Sequence, residues 1–334
     1  MSIVRIIDPP GNPDFVRFSS DAPRRFLLTV DTEEEFDWSR PLQRSGHTVQ
    51  SVPSIARFQQ FCEEHGVVPV YLIDWPIAEC QQAAEVLRDP VAAGRAEVGV
   101  QLHPWVNPPF EEDVTPINSY AGNLPEPLER AKFGQLRDLI AKNFGAAPLT
   151  YRAGRYGVGP NSLPILTDHG MRIDSSVRAR FDYSASGGPN FRDHPVRPYW
   201  LDRAAGLIEI PLTTVFWGPL RQQAHWLYPR MWRIPRLRGA LARLGLMERI
   251  PLTPEGVTVE EALRGIDIAI DEDLPILNFS FHSPSLAPGY TPYVRDAEDL
   301  EAFYDWWRRI FAYLELRGVK PAAPSAILDS IALA

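Results

Sequence analysis

Residues able to move protons or hold a cation stand where apolar runs stop. The run 26–30 ends in Asp31, Thr32 and Glu33; 67–73 ends at Asp74; 96–102 ends at His103; and 276–281 ends at His282. Arg152 and Arg155 follow a short run at 150, and Asp174 closes another at 171–174. Asp31 and Glu33, at i and i+2, point to the same side of an extended chain. Such carboxylates repel unless a cation or a shared proton compensates. The pair therefore calls for a metal ion, an arginine partner or a proton-transfer role. Acids, two imidazoles and a guanidinium suffice for metal-assisted hydrolysis: one group deprotonates water, another protonates the leaving group, and a cation stabilises the oxyanion. Plainer readings stand beside this one. Acids favour helix N-termini, Asp74 is placed to cap a helix over 76–87, Asp174 suits an Asx turn, and His103 before Pro104 suits a backbone-bonded turn.

Parallel strands alternating with helices would position such residues. A strand buried on both faces reads as a continuous apolar run, and the spacing predicts strands at 26–30, 67–73, 96–102, 150–152, 171–174, 207–211 and 276–281. Helical spacing predicts helices over 52–65, 76–87, 128–144, 162–169, 259–271 and 300–317, with Gly66, Gly145 and Gly170 as stops. About seven or eight such units favour a barrel over an open sheet, and in a barrel the C-terminal strand ends converge on one face. No glycine-rich phosphate loop follows any strand. The segment 220–250 breaks the pattern: Arg221, Arg230, Arg233, Arg236, Arg238, Arg243 and Arg249 stand against Glu248 alone, among Trp226, Tyr228 and Trp232. It reads as an inserted basic, aromatic arm. Arginine stems covering apolar wall account for it; docking to an anionic membrane surface or glycan is the sharper alternative.

The chain has 334 residues and a net charge of −8, which argues against nucleic-acid binding. Cys62 and Cys80 are the only cysteines, too few for a disulfide scaffold or a cysteine-based zinc module. No run is long enough to span a bilayer, and the start lacks a signal-peptide pattern, so a cytoplasmic location is expected. The 33 prolines imply many rigid loops, where sites are commonly built. His47, His65, His169, His194 and His225 fall away from strand ends and are expected to be solvated.

Five stretches occur in order: Thr29-Val-Asp-Thr-Glu33, Glu97-Val-Gly-Val-Gln-Leu-His-Pro-Trp105, Tyr151-Arg-Ala-Gly-Arg-Tyr-Gly157, Ile173-Asp-Ser-Ser176 and Asn278-Phe-Ser-Phe-His-Ser-Pro284. Together they resemble the polysaccharide deacetylase family, the NodB-homology domain, over nearly the whole chain apart from the arm. The resemblance implies an α/β fold, a distorted (β/α)7 barrel, forming a single domain over 1–334 with the arm at about 220–250 inserted. It implies hydrolysis of acetyl groups on a carbohydrate or glycan precursor. Asp31 would be the general base, Arg152 its ion-pair partner, His282 the general acid, and Asp174 the acid that raises the basicity of His282. Trp105, Asp74, Arg155 and Tyr156 would contact the sugar; Arg155 also competes for the arginine role. Glu33 and His103 would hold a divalent metal, zinc by the family's habit, with Glu34 and Glu35 able to replace Glu33.

The second stretch departs from the family pattern. Where a relative has His-x-His-Pro-Trp, this chain has Gln101-Leu102-His103-Pro104-Trp105. An amide is a poor zinc ligand. Two alternatives follow: a metal-independent amidohydrolase on the same barrel, and a catalytically degenerate glycan-binding protein.

Overall fold

The computed structural model describes residues 6–10, 14–19, 21–37, 40–232, 234 and 236–332. Its strands are β1 (Arg25–Thr32), β2 (Val70–Ile73), β3 (Glu97–Leu102), β4 (Thr150–Ala153), β5 (Ile173–Asp174), β6 (Tyr199–Asp202), β7 (Leu207–Glu209), β8 (Thr214–Trp217), β9 (Glu248–Pro251), β10 (Ile276–His282) and β11 (Lys320–Pro321). The helices are α1 (Ser54–Glu64), α2 (Trp75–Glu79), α3 (Gln81–Ala92), α4 (Glu126–Phe144), α5 (Ser162–Asp168), α6 (Ala224–Met231), α7 (Leu237–Arg243), α8 (Val259–Asp271), α9 (Ala297–Leu316) and α10 (Pro324–Asp329). The expected helix over 76–87 is two helices, because Cys80 is extended (ψ 111°) between α2 and α3.

The main sheet runs β10-β1-β2-β3-β4-β5-β7-β6, parallel except for β6, with β11 also pairing β1. Period-2 alternation divides its two faces. On β1, Phe26, Leu28 and Val30 join the large cluster under the helices, with Phe58 of α1 and Trp307 and Phe311 of α9. Leu27 instead meets Val70, Leu72, Ile173, Ile208 and Ile276 on the concave face. The next residues on that face are polar. Arg152 donates from Nε to the Ser175 carbonyl at 2.9 Å, and from Nη2 to both Thr29 Oγ1 at 2.9 Å and Ser175 Oγ at 3.0 Å. Asn278 Nδ2 donates to Ser175 Oγ at 2.9 Å and the Ile210 carbonyl at 3.1 Å. Thr213 N donates to the Asn278 carbonyl at 3.2 Å, so backbone beyond β7 approaches β10 and curls the sheet. An apolar floor, a polar middle layer and strand ends above them follow directly from this alternation.

The arm bridges an antiparallel pair, β8 with β9. Phe216, Ala224, Tyr228, Met231 and Met247 form its small core. Two of its arginines lie over rings: Arg238 is 3.5 Å from the Trp232 centroid and Arg249 3.4 Å from Phe181. Burial pushes the Arg249 guanidinium down to about 10. Arg233 and the side chains of His225 and Trp226 lie outside the described residues. The N-terminal stretch packs on the body of the fold: Phe15 pairs with Tyr199, Phe18 with Ile331, and Val16 is buried in the concave cluster. His194, expected to be solvated, is not. It is fully buried against the Ile6 carbonyl (3.1 Å), and burial pushes it down to about 4.

Candidate active site

Parallel register brings β1 and β10 to their ends together, with Asp31 opposite His282. Asp31 is buried, and its Oδ1 accepts from the Arg152 guanidinium, which reaches across from β4. Its Oδ2 stands 3.9 Å from His282 Nε2. The other face of the imidazole is held by a residue without strand-end signal: Nδ1 lies 2.7 Å from Glu255 Oε2, and the His282 backbone N–H donates to Glu255 Oε1 at 3.1 Å. Ser285 Oγ donates to the same carboxylate at 2.7 Å. Burial disfavours the charged ring, but the carboxylates of Glu255, Glu33 and Asp31 outweigh it and push His282 up to about 10.

Asp174, expected beside the histidine, is engaged elsewhere. It accepts from Ser176 N (3.2 Å) and Ser176 Oγ (2.5 Å), and sits in register with Glu209 on the neighbouring strand. Burial raises both acids, and their mutual repulsion raises Glu209 further. Two carboxylates side by side in a dry layer share a proton rather than both ionising.

A second cluster forms around His103, at the end of β3. Its Nδ1 is 2.9 Å from Glu34 Oε2, and its Nε2 is 3.5 Å from Glu33 Oε2. Trp105 stacks on the ring at 4.4 Å and donates from Nε1 to Glu34 Oε1 at 2.9 Å. Gly154 makes room for the ring: a Cβ there would lie 2.3 Å from His103 Cδ2 and 2.6 Å from the Leu102 carbonyl. Asp74 lies behind, fully buried. It caps α2 by accepting from Ile77 N at 2.9 Å and also accepts from Glu34 N at 2.9 Å. The sequence offered both a cap and a sugar contact for Asp74; the structure places it at the cap, off the pocket wall. Glu35 is occupied by the backbone of Gln50 (2.8 Å) and Ser51 (2.5 Å). Burial pushes Glu33 up to about 8 against the opposing pull of His282 and His103.

A pocket of about 590 Å³ opens above these groups. Its wall includes Asp31, Glu33, Gln101, His103, Glu255 and His282. Trp105, Arg155 and Tyr156 line it too, along with Arg178 and Tyr183, which the sequence reading did not single out. Arg178 follows the 173–176 stretch by two residues, and Glu255 lies in a loop after β9; neither ends a main-sheet strand.

Two donor sets share His103. Glu34, Asp74 and His103 present ligand atoms within 4.8 Å of one another, a spacing that could hold a metal ion. Those same carboxylates already accept protein N–H groups. Facing the pocket are Glu33, His103 Nε2 and Gln101, whose buried Oε1 has no hydrogen-bond partner. An orphaned carbonyl oxygen beside a carboxylate and an imidazole fits a divalent cation that accepts oxygen ligands.

No family model matches the chain, and no curated protein matches it. Solved structures share its fold. A structure described as a polysaccharide deacetylase from Mycobacterium smegmatis is 15% identical, with 94% of this chain and 95% of that one covered and a TM-score of 0.50. Puue allantoinase is 14% identical over 96% and 94%, with a TM-score of 0.52. The 4-alpha-glucanotransferase of Thermococcus litoralis is 11% identical over 93% of this chain and 41% of that one, with a TM-score of 0.54. The chain therefore has the mixed α/β fold of these proteins, with a curled parallel sheet. Three different activities on one fold leave the chemistry to be argued from the site.

Proposed function

We propose that this chain is a hydrolase that removes an acetyl group from an acetylated carbohydrate, on a distorted (β/α)7 barrel with 220–250 as an inserted arm. The observation that carries the reading is the convergence of Asp31 Oδ2 and His282 Nε2, 3.9 Å apart, on one pocket. Arg152 holds Oδ1 of Asp31, which leaves Oδ2 to accept the proton of an attacking water. His282, kept protonated by Glu255, donates its Nε2 proton to the departing amine or alkoxide as the acyl carbon–heteroatom bond breaks. Tyr156, half-buried on the pocket wall, offers ring surface for a sugar face, while Trp105 holds the His103 ring from the side. A divalent metal held by Glu33, His103 and Gln101 would polarise the acetyl carbonyl.

A second reading is favoured by Glu33. A carboxyl pushed up to about 8 is protonated at neutral pH, and its O–H can donate to the developing oxyanion without a metal. Elemental analysis before and after chelation separates the two. Stoichiometric metal with chelator-sensitive activity selects the first; full activity in metal-free protein selects the second. Hydrolysis itself is tested by acetate release from acetylated oligosaccharides. Asp31→Asn and His282→Ala should each lower the rate by about 10²–10⁴-fold. Undiminished release in either variant rejects the assigned roles, and no release by the native chain from any acetylated sugar leaves a glycan-binding protein.

A further inference from the structure

We propose that the molecule bound in this pocket carries an anionic group, a carboxylate or a phosphate, received by Arg155 and Arg178. The proposal deepens the deacetylase reading by giving the substrate a charge, but its geometry does not depend on that chemistry.

Both guanidiniums line the pocket, and among the described residues neither has a carboxylate within ion-pair distance. Arg155 donates one hydrogen bond, to Ser119 Oγ, and lies 4.4 Å from the Tyr120 ring centroid. Arg178 donates from one terminal nitrogen to Tyr183 Oη at 3.2 Å and lies 3.9 Å over Phe181. A guanidinium has five N–H donors in a planar fork that matches carboxylate and phosphate oxygens. Most of those donors are unused in both residues. Stacking on aromatic rings fixes the planes and lowers the entropy lost when an anion docks.

The acids of the pocket are already opposed by bases. Asp31 faces Arg152, Glu255 faces His282, and Glu33 faces His103. None is left as counter-ion to the two arginines, and a partly buried charge without a partner is costly. The backbone adds an independent sign. Arg155 and Tyr156 are consecutive non-glycine residues with φ of 54° and 61°. Such conformations cost about 1–3 kcal/mol each and cluster where a side chain must be aimed at a ligand. Structural stacking alone would not require an arginine at a left-handed position.

The test uses the full chain and two kinds of probe. First, inorganic phosphate and acetate are titrated separately by calorimetry or NMR into the native protein, Arg155→Asn and Arg178→Met; asparagine tolerates the left-handed backbone. Saturable binding of either anion to native protein, weakened at least tenfold in each variant whose thermal unfolding matches native, supports the proposal and tells which anion fits. No binding below about 10 mM, or equal binding in both variants, overturns it. Second, kcat/KM is compared for N-acetylglucosamine and its 1-phosphate. A preference for the phosphate that collapses at high salt and in both variants agrees with the proposal; preference for the neutral sugar opposes it. Anion binding without hydrolysis of either sugar would reject the deacetylase reading and leave the anion site standing. Hydrolysis without anion binding would do the reverse.

Discussion

At the scale of single residues, the site depends on which acid touches which base. His282 takes its charge state from Glu255, and that has a measurable consequence. An unfolded imidazole titrates near 6.5 and the folded one near 10, so the folded chain retains an extra proton between those values. The stabilisation is fully present below about pH 6.5 and is lost as pH rises through 10. Glu255→Gln should therefore bring the His282 NMR titration down from about 10 and flatten the fall of stability across that window. An unchanged His282 titration would remove Glu255 from the site. Arg152 and Asp31 form a buried ion pair, and breaking such a pair by removing one member costs about 3–5 kcal/mol because the other charge is stranded. Arg152→Met is expected to lose that much in denaturant unfolding, with part regained in the Asp31→Asn, Arg152→Met double variant.

At the scale of elements, strand termini and tight loops set the positions. β4 ends in Ala153, and Gly154 then passes so near His103 that a methyl group has no room. Gly154→Ala should destabilise by about 1–3 kcal/mol and lower acetate release by displacing the imidazole, measured as unfolding midpoint and kcat together. A normal rate in this variant would mean that the ring position is unimportant. The arm gains its place through β8 and β9, whose pairing the sequence left hidden because Arg249 and Glu248 read as part of a basic segment. Stacking accounts for two of those arginines, Arg238 and Arg249, which lie over rings, while Arg221 pairs with Asp271.

At the scale of the whole molecule, the sheet is held from outside by α9 and α1 and from within by the apolar floor. Trp307 is fully buried among Phe58, Phe279, Phe281 and Phe311. Trp307→Ala should cost about 3–5 kcal/mol, read from chemical denaturation, without shifting the His282 titration, since the ring lies on the outer face. Apolar runs and their polar ends made the strands legible, and with them the grouping of Asp31, His103, Arg152 and His282, because strand period and the alternation of strands with helices, which implies parallel pairing, are written along the sequence. What needed tertiary structure were the side-by-side pairings. Asp174 and Glu209 meet only because β5 and β7 are neighbours with β6 skipped between them. Glu255 reaches His282 from a loop 27 residues away, and Asp74 turns to cap its own helix. Sequence periodicity carries the direction of a side chain along its own element; the partner it meets, and how deeply it is buried, are set by how distant elements pack.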